Sequence, residues 1–478
     1  MKKFVGLVVI LAALILGSYY GMGIATERTV KANLDRVNQS KGVFVNVTDY
    51  KRGWFTSTAT LDWKFQVPEH VVKTANGQSQ TVPAQEYQMP MALTIYHGPV
   101  IFANNTVKFG MGYAHTDLAL PAQYNQQFGE HFSPDSTKPE LDLSLFVSYL
   151  NNSTIETAIP AFKLIAKEGN GQFEWLGFNS NVSVSSNQDK IKGDALIDGI
   201  QFSKDTVKGV VGEITTEYDM HRVADNMYLG DFNLSFPSLV INDKDQKVFE
   251  LDNLAMQTSS DIENGLFNSH FQMSLDTVFA HGKTYGPGSV EMALRNLDGD
   301  VLISINNQAQ QLQGSEQQQQ QAILALIPEI PKLFSKGAEF EISTLTFKMP
   351  QGTIEGNMLV SLPQGDNSNP FEMLQKIHGN GKLQIPAEVV KQVLDTTNQQ
   401  RITAQQAQQA QQAPADGSSA ATPDSAPQVS QMTSAQLAAM TQSGLIVQQG
   451  SDYVIELNLD QGKLSVNGQP FNPAMVKF

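Results

Sequence analysis

Apolar and polar residues alternate with a period of two along much of this chain. Leu61, Trp63 and Phe65 alternate with Thr60, Asp62 and Lys64, and Phe232, Leu234 and Phe236 alternate with Asp231, Asn233 and Ser235. The same pattern recurs at Phe271, Met273 and Leu275, at Leu345, Phe347 and Met349, and at Tyr453, Ile455, Leu457 and Leu459. Successive side chains of a strand face opposite ways, so each run predicts a strand with one apolar and one polar face. Antiparallel sheets with one solvated face produce this pattern. Turn signals such as Gln351-Gly352, Gln461-Gly462 and Asn467-Gly468 separate the runs.

Helical spacing is rarer. Gln321 to Lys336 predicts a buried helix interrupted by Pro328 and Pro331. Ala387 to Gln412 predicts a helix fading into glutamine, and Ala435 to Thr441 a short one capped by Thr433 or Ser434. Leu118 to Phe128 and Leu143 to Ala166 fit either periodicity.

The amino terminus breaks the strand pattern. Lys2 and Lys3 precede an uncharged run from Phe4 to Ala25, and charge resumes at Glu27. About 20 apolar residues at ~1.5 Å each cross a hydrocarbon core of ~30 Å, so this run predicts a transmembrane anchor. The rival reading is a cleaved signal peptide, for which Gly23-Ile24-Ala25 offers a poor cleavage site. Either reading keeps the lysines inside and exports the body. The fold class expected is α+β and β-dominated: an N-terminal transmembrane helix, then a large, mostly antiparallel curved sheet with a few packed helices.

The expected organisation is an anchor over 1–26, the first part of a β-rich periplasmic body over 27–305, and a Gln-rich insertion over 306–321. A helix-and-β part of the body follows over 322–398, then a Gln/Ala/Pro/Ser-rich linker over 399–432, then a short helix and terminal hairpin over 433–478. Both Gln-rich tracts are poor in large apolar residues and read as surface insertions.

Composition narrows the chemistry. The net charge of −15 disfavours nucleic acid, whose phosphates need clustered Lys and Arg. Cysteine is absent, which removes disulfides, thiolate metal sites and cysteine nucleophiles together. Gly282-Lys283-Thr284 lacks the upstream glycine of a phosphate loop, since position 277 is Thr. No Gly-x-Ser-x-Gly or His-Glu-x-x-His occurs, Asp243-Lys244-Asp245 lacks the rest of a calcium loop, and Asp298-Gly299-Asp300 reads as a turn. The chain therefore reads as a non-enzyme with no catalytic residue, metal or cofactor. His97, in Ile95-Tyr96-His97-Gly98-Pro99, reads as a strand-end histidine that donates to a backbone carbonyl and fixes the Gly-Pro turn.

One motif carries a resemblance. Tyr50-Lys51-Arg52-Gly53-Trp54-Phe55-Thr56-Ser57-Thr58-Ala59 is similar to the Y-x-R-G-W-F-x-S-x-A signature of the YdgA/YihF family, a bacterial family of unknown function. His97-Gly98-Pro99, the stretch from Glu339 to Gly352, and Gly462 to Gly468 resemble later elements of that family. The resemblance implies an inner-membrane protein, single-pass, with a cytoplasmic N-terminus and a periplasmic body that self-associates, for instance as a homodimer. It carries over no catalytic residue. The motif residues Tyr50, Arg52, Gly53, Trp54, Phe55 and Ser57, with His97, Gly98 and Pro99, read as a structural clasp between anchor and first strand. Arg52 would stack on Trp54 or a nearby aromatic.

Two functions are expected from different classes. One is binding of hydrophobic, lipid-like ligands on an apolar sheet face. The other is a periplasmic scaffold acting through protein–protein contacts as a homo-oligomer. A hydrolase would require two carboxylates to converge in a cleft.

Overall fold

A computed structural model describes residues 16–311, 328–412 and 426–471, apart from breaks at 29, 32–33, 35–37, 39–42, 68–69, 74–78, 104, 121, 226 and 366–369. The chain is β-dominated and divides into two compact units, residues 1–221 with 241–246 and residues 222–240 with 247–478.

The first unit is an antiparallel ladder. Val43–Arg52 pairs with Thr56–Val67, which pairs with Gln85–His97, then Gly112–Ala119, Glu140–Val147, Ser153–Ile159, Gln172–Val184 and Lys190–Lys204. Residues 214–221 add the next strand. One face of its first strands is apolar and sealed. Ala59, Ile95 and Ala114 pack against Val30 there, and Ile95 is fully buried.

The expected transmembrane helix is corrected. Among the described residues no helix is long and apolar enough to cross a membrane. Residues 16–28 are helical, and Tyr19, Gly23, Thr26 and Val30 are buried on the body. Their spacing of three to four residues makes one helix face. The softer half of the apolar run is thus spent on packing against the sheet. Residues 4–15 of that expectation lie outside the described residues.

The second unit is also antiparallel. Gln246–Glu263 pairs with Leu266–Leu275, followed by Gly288–Asp298, Glu339–Met349, Gly352–Ser361, His378–Pro386, Asp452–Asp460 and Lys463–Val466. Gln461 and Gly462, and Asn467 and Gly468, take positive φ, the geometry of tight hairpin turns.

Helices differ from expectation at their ends. The helix expected over 321–336 is reduced in its described part to Ile330–Leu333, with Pro331 in the first turn, where its missing N–H costs nothing. Asp298-Gly299-Asp300 is a helix start and not a free turn. The Asp298 carboxylate accepts from the amides of Asp300 and Val301, capping Gly299–Gln311. Ala387–Gln412 is helical over its expected range. The last helix begins at Ala426, so Thr433 is an interior residue and not a cap. Thr433 is buried and accepts a hydrogen bond from Asn398 Nδ2 at 3.1 Å, which joins the two helices.

Candidate functional site

All nine motif residues meet at one end of the first unit's sheet. Register places Arg52 opposite Ser57 and Tyr50 opposite Ala59, so these residues share the apolar face under the N-terminal helix. Gly53 lets the chain reverse tightly, with its amide on the Thr56 carbonyl at 2.9 Å. His97 ends the third strand, its amide bonded to the Phe55 carbonyl. Gly98 bonds to the Met111 carbonyl, and Pro99 accepts from Gly110.

His97 is the centre. Its Nδ1 lies 3.3 Å from the Trp54 carbonyl, which can only accept, so Nδ1 carries the proton. Its Nε2 then accepts from the Ser57 hydroxyl at 2.9 Å. Burial holds the imidazole below its ordinary value of 6.5, with Arg52 adding to the effect and the Trp54 hydrogen bond opposing it. A serine beside a neutral histidine is the arrangement of an activated nucleophile. Here both side chains are 1% exposed, and Gly23 of the helix lies so close that a Cβ there would sit 2.6 Å from His97 Nδ1. No substrate carbonyl reaches Ser57 in this arrangement.

The clasp continues around the helix. Arg52 stacks on the Tyr20 ring at 5.1 Å, not on Trp54, and pairs with Glu27 at 3.1 Å. The Lys31 hydrogen bond foremost, and Arg52 further, hold the Glu27 carboxyl below its ordinary value against an opposing effect of burial. Trp54 lies 5.3 Å from Tyr20, and Phe55 meets Tyr19 edge-on at 4.8 Å. Tyr19 donates to the Val100 carbonyl at 2.6 Å. Burial pushes the Tyr50 phenol up. The helix residues escaped the motif reading. Their signal was the stripe of Tyr19, Gly23, Thr26 and Val30 inside a run read as lipid-facing.

The opposite face of the same sheet holds a polar recess of about 430 Å³, lined in part by His115, Asp142, Ser144, Glu156, Asn181 and Asp194. Strand register alone assembles this row: His115 opposes Ser144, Ser144 opposes Glu156, and Glu156 opposes Asn181. His115 Nε2 lies 2.7 Å from Asp117, and Asp117 opposes Asp142. Burial, then the hydrogen bond and charge of Asp117, push the Asp142 carboxyl up. Two carboxyls sharing a hydrogen bond are closer than the ~5 Å or more that glycoside hydrolysis requires. Asp117 is also 71% exposed, so water screens the pair. Among the described residues no cluster of three or more metal-ligating acidic, histidine or cysteine side chains forms.

The second unit presents a different surface. One cross-strand row runs Phe271, Met292, Ile342, Met358, Gly381, Leu457. The row beside it runs Met273, Val290, Leu345, Gly356, Leu383, Ile455. Apart from Leu457, which is exposed, these side chains are only half-buried, in contrast to Ile95 beneath the N-terminal helix. The reverse face carries ion pairs, including Arg295 with Glu341 at 2.6 Å and Lys382 with Glu456 at 3.5 Å. At one end the apolar face deepens into a recess of about 160 Å³ walled by Leu294, Phe340, Val360, Phe334, Met373 and Ile377.

Fold and site together define an antiparallel β protein with a helix clasped onto its first strands and an open apolar face further along. The chain belongs to a family of bacterial proteins of unknown function, DUF945, whose model matches residues 1–474. No curated protein matches it.

Proposed function

We propose that this chain is a non-enzymatic, membrane-associated protein of the bacterial envelope, of the YdgA/YihF type, that binds lipid-like molecules on the apolar face of its second unit. The observation that carries the reading is the pair of apolar rows, broken only by Gly381 and Gly356, whose side chains stay half-buried. A contiguous set of apolar side chains left partly open to solvent supports an interaction surface. At ~25 cal/mol per Å², covering it with an acyl chain is favourable without any polar contact. The adjoining open recess, walled mainly by apolar side chains, gives a hydrocarbon chain a place to enter. The lysines ahead of the apolar N-terminal run support an inner-membrane location with the body on the periplasmic side.

The test is mass spectrometry of lipid extracted from the purified full-length chain, beside the double variant Met292→Asp, Met358→Asp. Bound lipid is expected in the wild type and strongly reduced in the variant, with far-UV circular dichroism unchanged. A wild type free of lipid that also takes up no fluorescent fatty acid overturns the reading. If crosslinking then recovers a defined dimer, the same face serves self-association.

A further inference from the structure

The motif end of the first unit gathers exposed apolar side chains, some from the clasp itself and some beyond it. The hairpin of Val100–Ala103 and Thr106–Phe109 is two-faced. Ile101 and Ala103 turn inward onto Tyr113, while register sets Phe102 opposite Val107 on the other face, with Phe109 two positions on. Phe102 is 70% exposed and Phe109 63%. Trp54, at 56%, and Phe55 lie in the first hairpin turn, and Leu150, at 78%, in the turn after Glu140–Val147.

Hydrogen bonds hold these loops at one sheet end. Phe55 bonds to His97, Pro99 to Gly110, and Met111 to Val147, while the Tyr149 hydroxyl donates to the Pro99 carbonyl. Scattered single apolar residues are ordinary on a protein surface, but a contiguous set is an interaction site.

The chain itself indicates what covers this rim. Leu16 begins the described N-terminal helix, and Tyr19 and Tyr20 of its next turn touch Phe55, Val100 and Trp54. The residues ahead of Leu16 are the apolar run from Phe4 and the lysines Lys2 and Lys3. The described chain thus begins at the rim, with its most apolar segment immediately before it in sequence. Trp, Tyr and Phe are the residues that favour the boundary between headgroups and acyl chains. The cations nearby are turned away from this set: Lys108 lies opposite Ile101 on the inward face, 5.0 Å from the Tyr113 ring, and Arg52 is paired with Glu27.

We propose that this rim, through Tyr20, Trp54, Phe55, Phe102, Phe109 and Leu150, seats in the headgroup–acyl boundary of a lipid bilayer. The first unit then rests on the membrane surface by its sheet end. This interaction is separate from ligand binding by the second unit and uses none of its residues.

The chain has three tryptophans, and Trp54 is exposed while Trp63 and Trp175 are half-buried in strands. The full-length chain is bound to vesicles of phosphatidylethanolamine and phosphatidylglycerol, plain or with dibrominated acyl chains. Bromine is expected to quench roughly a third of the tryptophan emission, the share of one indole at the interface. Trp54→Phe should abolish that quenching. The double variant Phe102→Ser, Phe109→Ser changes only exposed side chains and should raise iodide quenching of Trp54 about twofold, as the rim lifts from lipid. Equal emission from plain and brominated vesicles that carry the protein overturns the proposal. So does shielding of Trp54 that depends on protein concentration and not on lipid. Lipid retained by the second unit should be the same in all rim variants, so the two readings fail separately.

Discussion

At the scale of single residues, His97 ties the motif together by being neutral. Its two ring nitrogens are committed to Trp54 and Ser57, and its surroundings are desolvated. Protonating it would bury a charge and leave Ser57 without its acceptor. Because burial lowers its folded pKa, the unfolded chain binds the proton more tightly. The stability His97 contributes is therefore complete above its ordinary value of 6.5 and is lost as the pH falls through that range. Asp142 works the other way, its raised pKa favouring the fold in acid, but its ordinary value of 3.8 places that effect lower on the scale. The melting temperature should fall between about pH 7.5 and 5.5. His97→Gln, which keeps a partner for Ser57, should flatten that fall. An unchanged slope in the variant would place the titration elsewhere.

At the scale of elements, the N-terminal helix makes two close approaches to the sheet. Gly23 lies against the His97 ring and Gly112 against Thr26, and a Cβ at either would fall within 2.9 Å of its neighbour. Gly21 meets nothing within 4 Å. Gly23→Ala should therefore destabilise by about 1–3 kcal/mol, as other overpacked contacts do. Gly21→Ala should be neutral or stabilise by up to ~1 kcal/mol through helix propensity. Urea midpoints of the two variants decide the point. Periodicity cannot distinguish a helix face that packs on a sheet from one that faces lipid, because both require apolar residues at the same spacing. The apolar spacing of the helix over 16–28 therefore fits a membrane span as well as it fits a face packed on the sheet. The polar row from His115 to Asp194 was invisible for a related reason. Each strand contributes one unremarkable polar position, and only pairing register lines them up.

At the scale of the whole molecule, charge and surface apolarity act separately. The net charge of −15 opposes attraction to anionic lipid, so any membrane or lipid association must be hydrophobic in origin. Salt shortens the Debye length from ~10 Å at 0.1 M to ~3 Å at 1 M and weakens only the electrostatic part. Flotation of the full-length chain with phosphatidylglycerol-containing vesicles should accordingly hold steady or improve as salt rises. A steep loss of binding in high salt would point to the lysines and arginines as the main contact.

The sequence alone determined the strands, their two-faced character and the tight turns at Gln461-Gly462 and Asn467-Gly468, because period-two patterning and turn chemistry are local. It also placed Arg52 and Ser57 in one hairpin, while only pairing with the strand ending at His97 brings that residue to Ser57. Tertiary structure decided what each apolar face meets. The helix over residues 16–28 covers the face at Ile95, while the face at Met292 and Met358 stays half-open. Burial is a relation between elements far apart in the chain, and no local pattern encodes it.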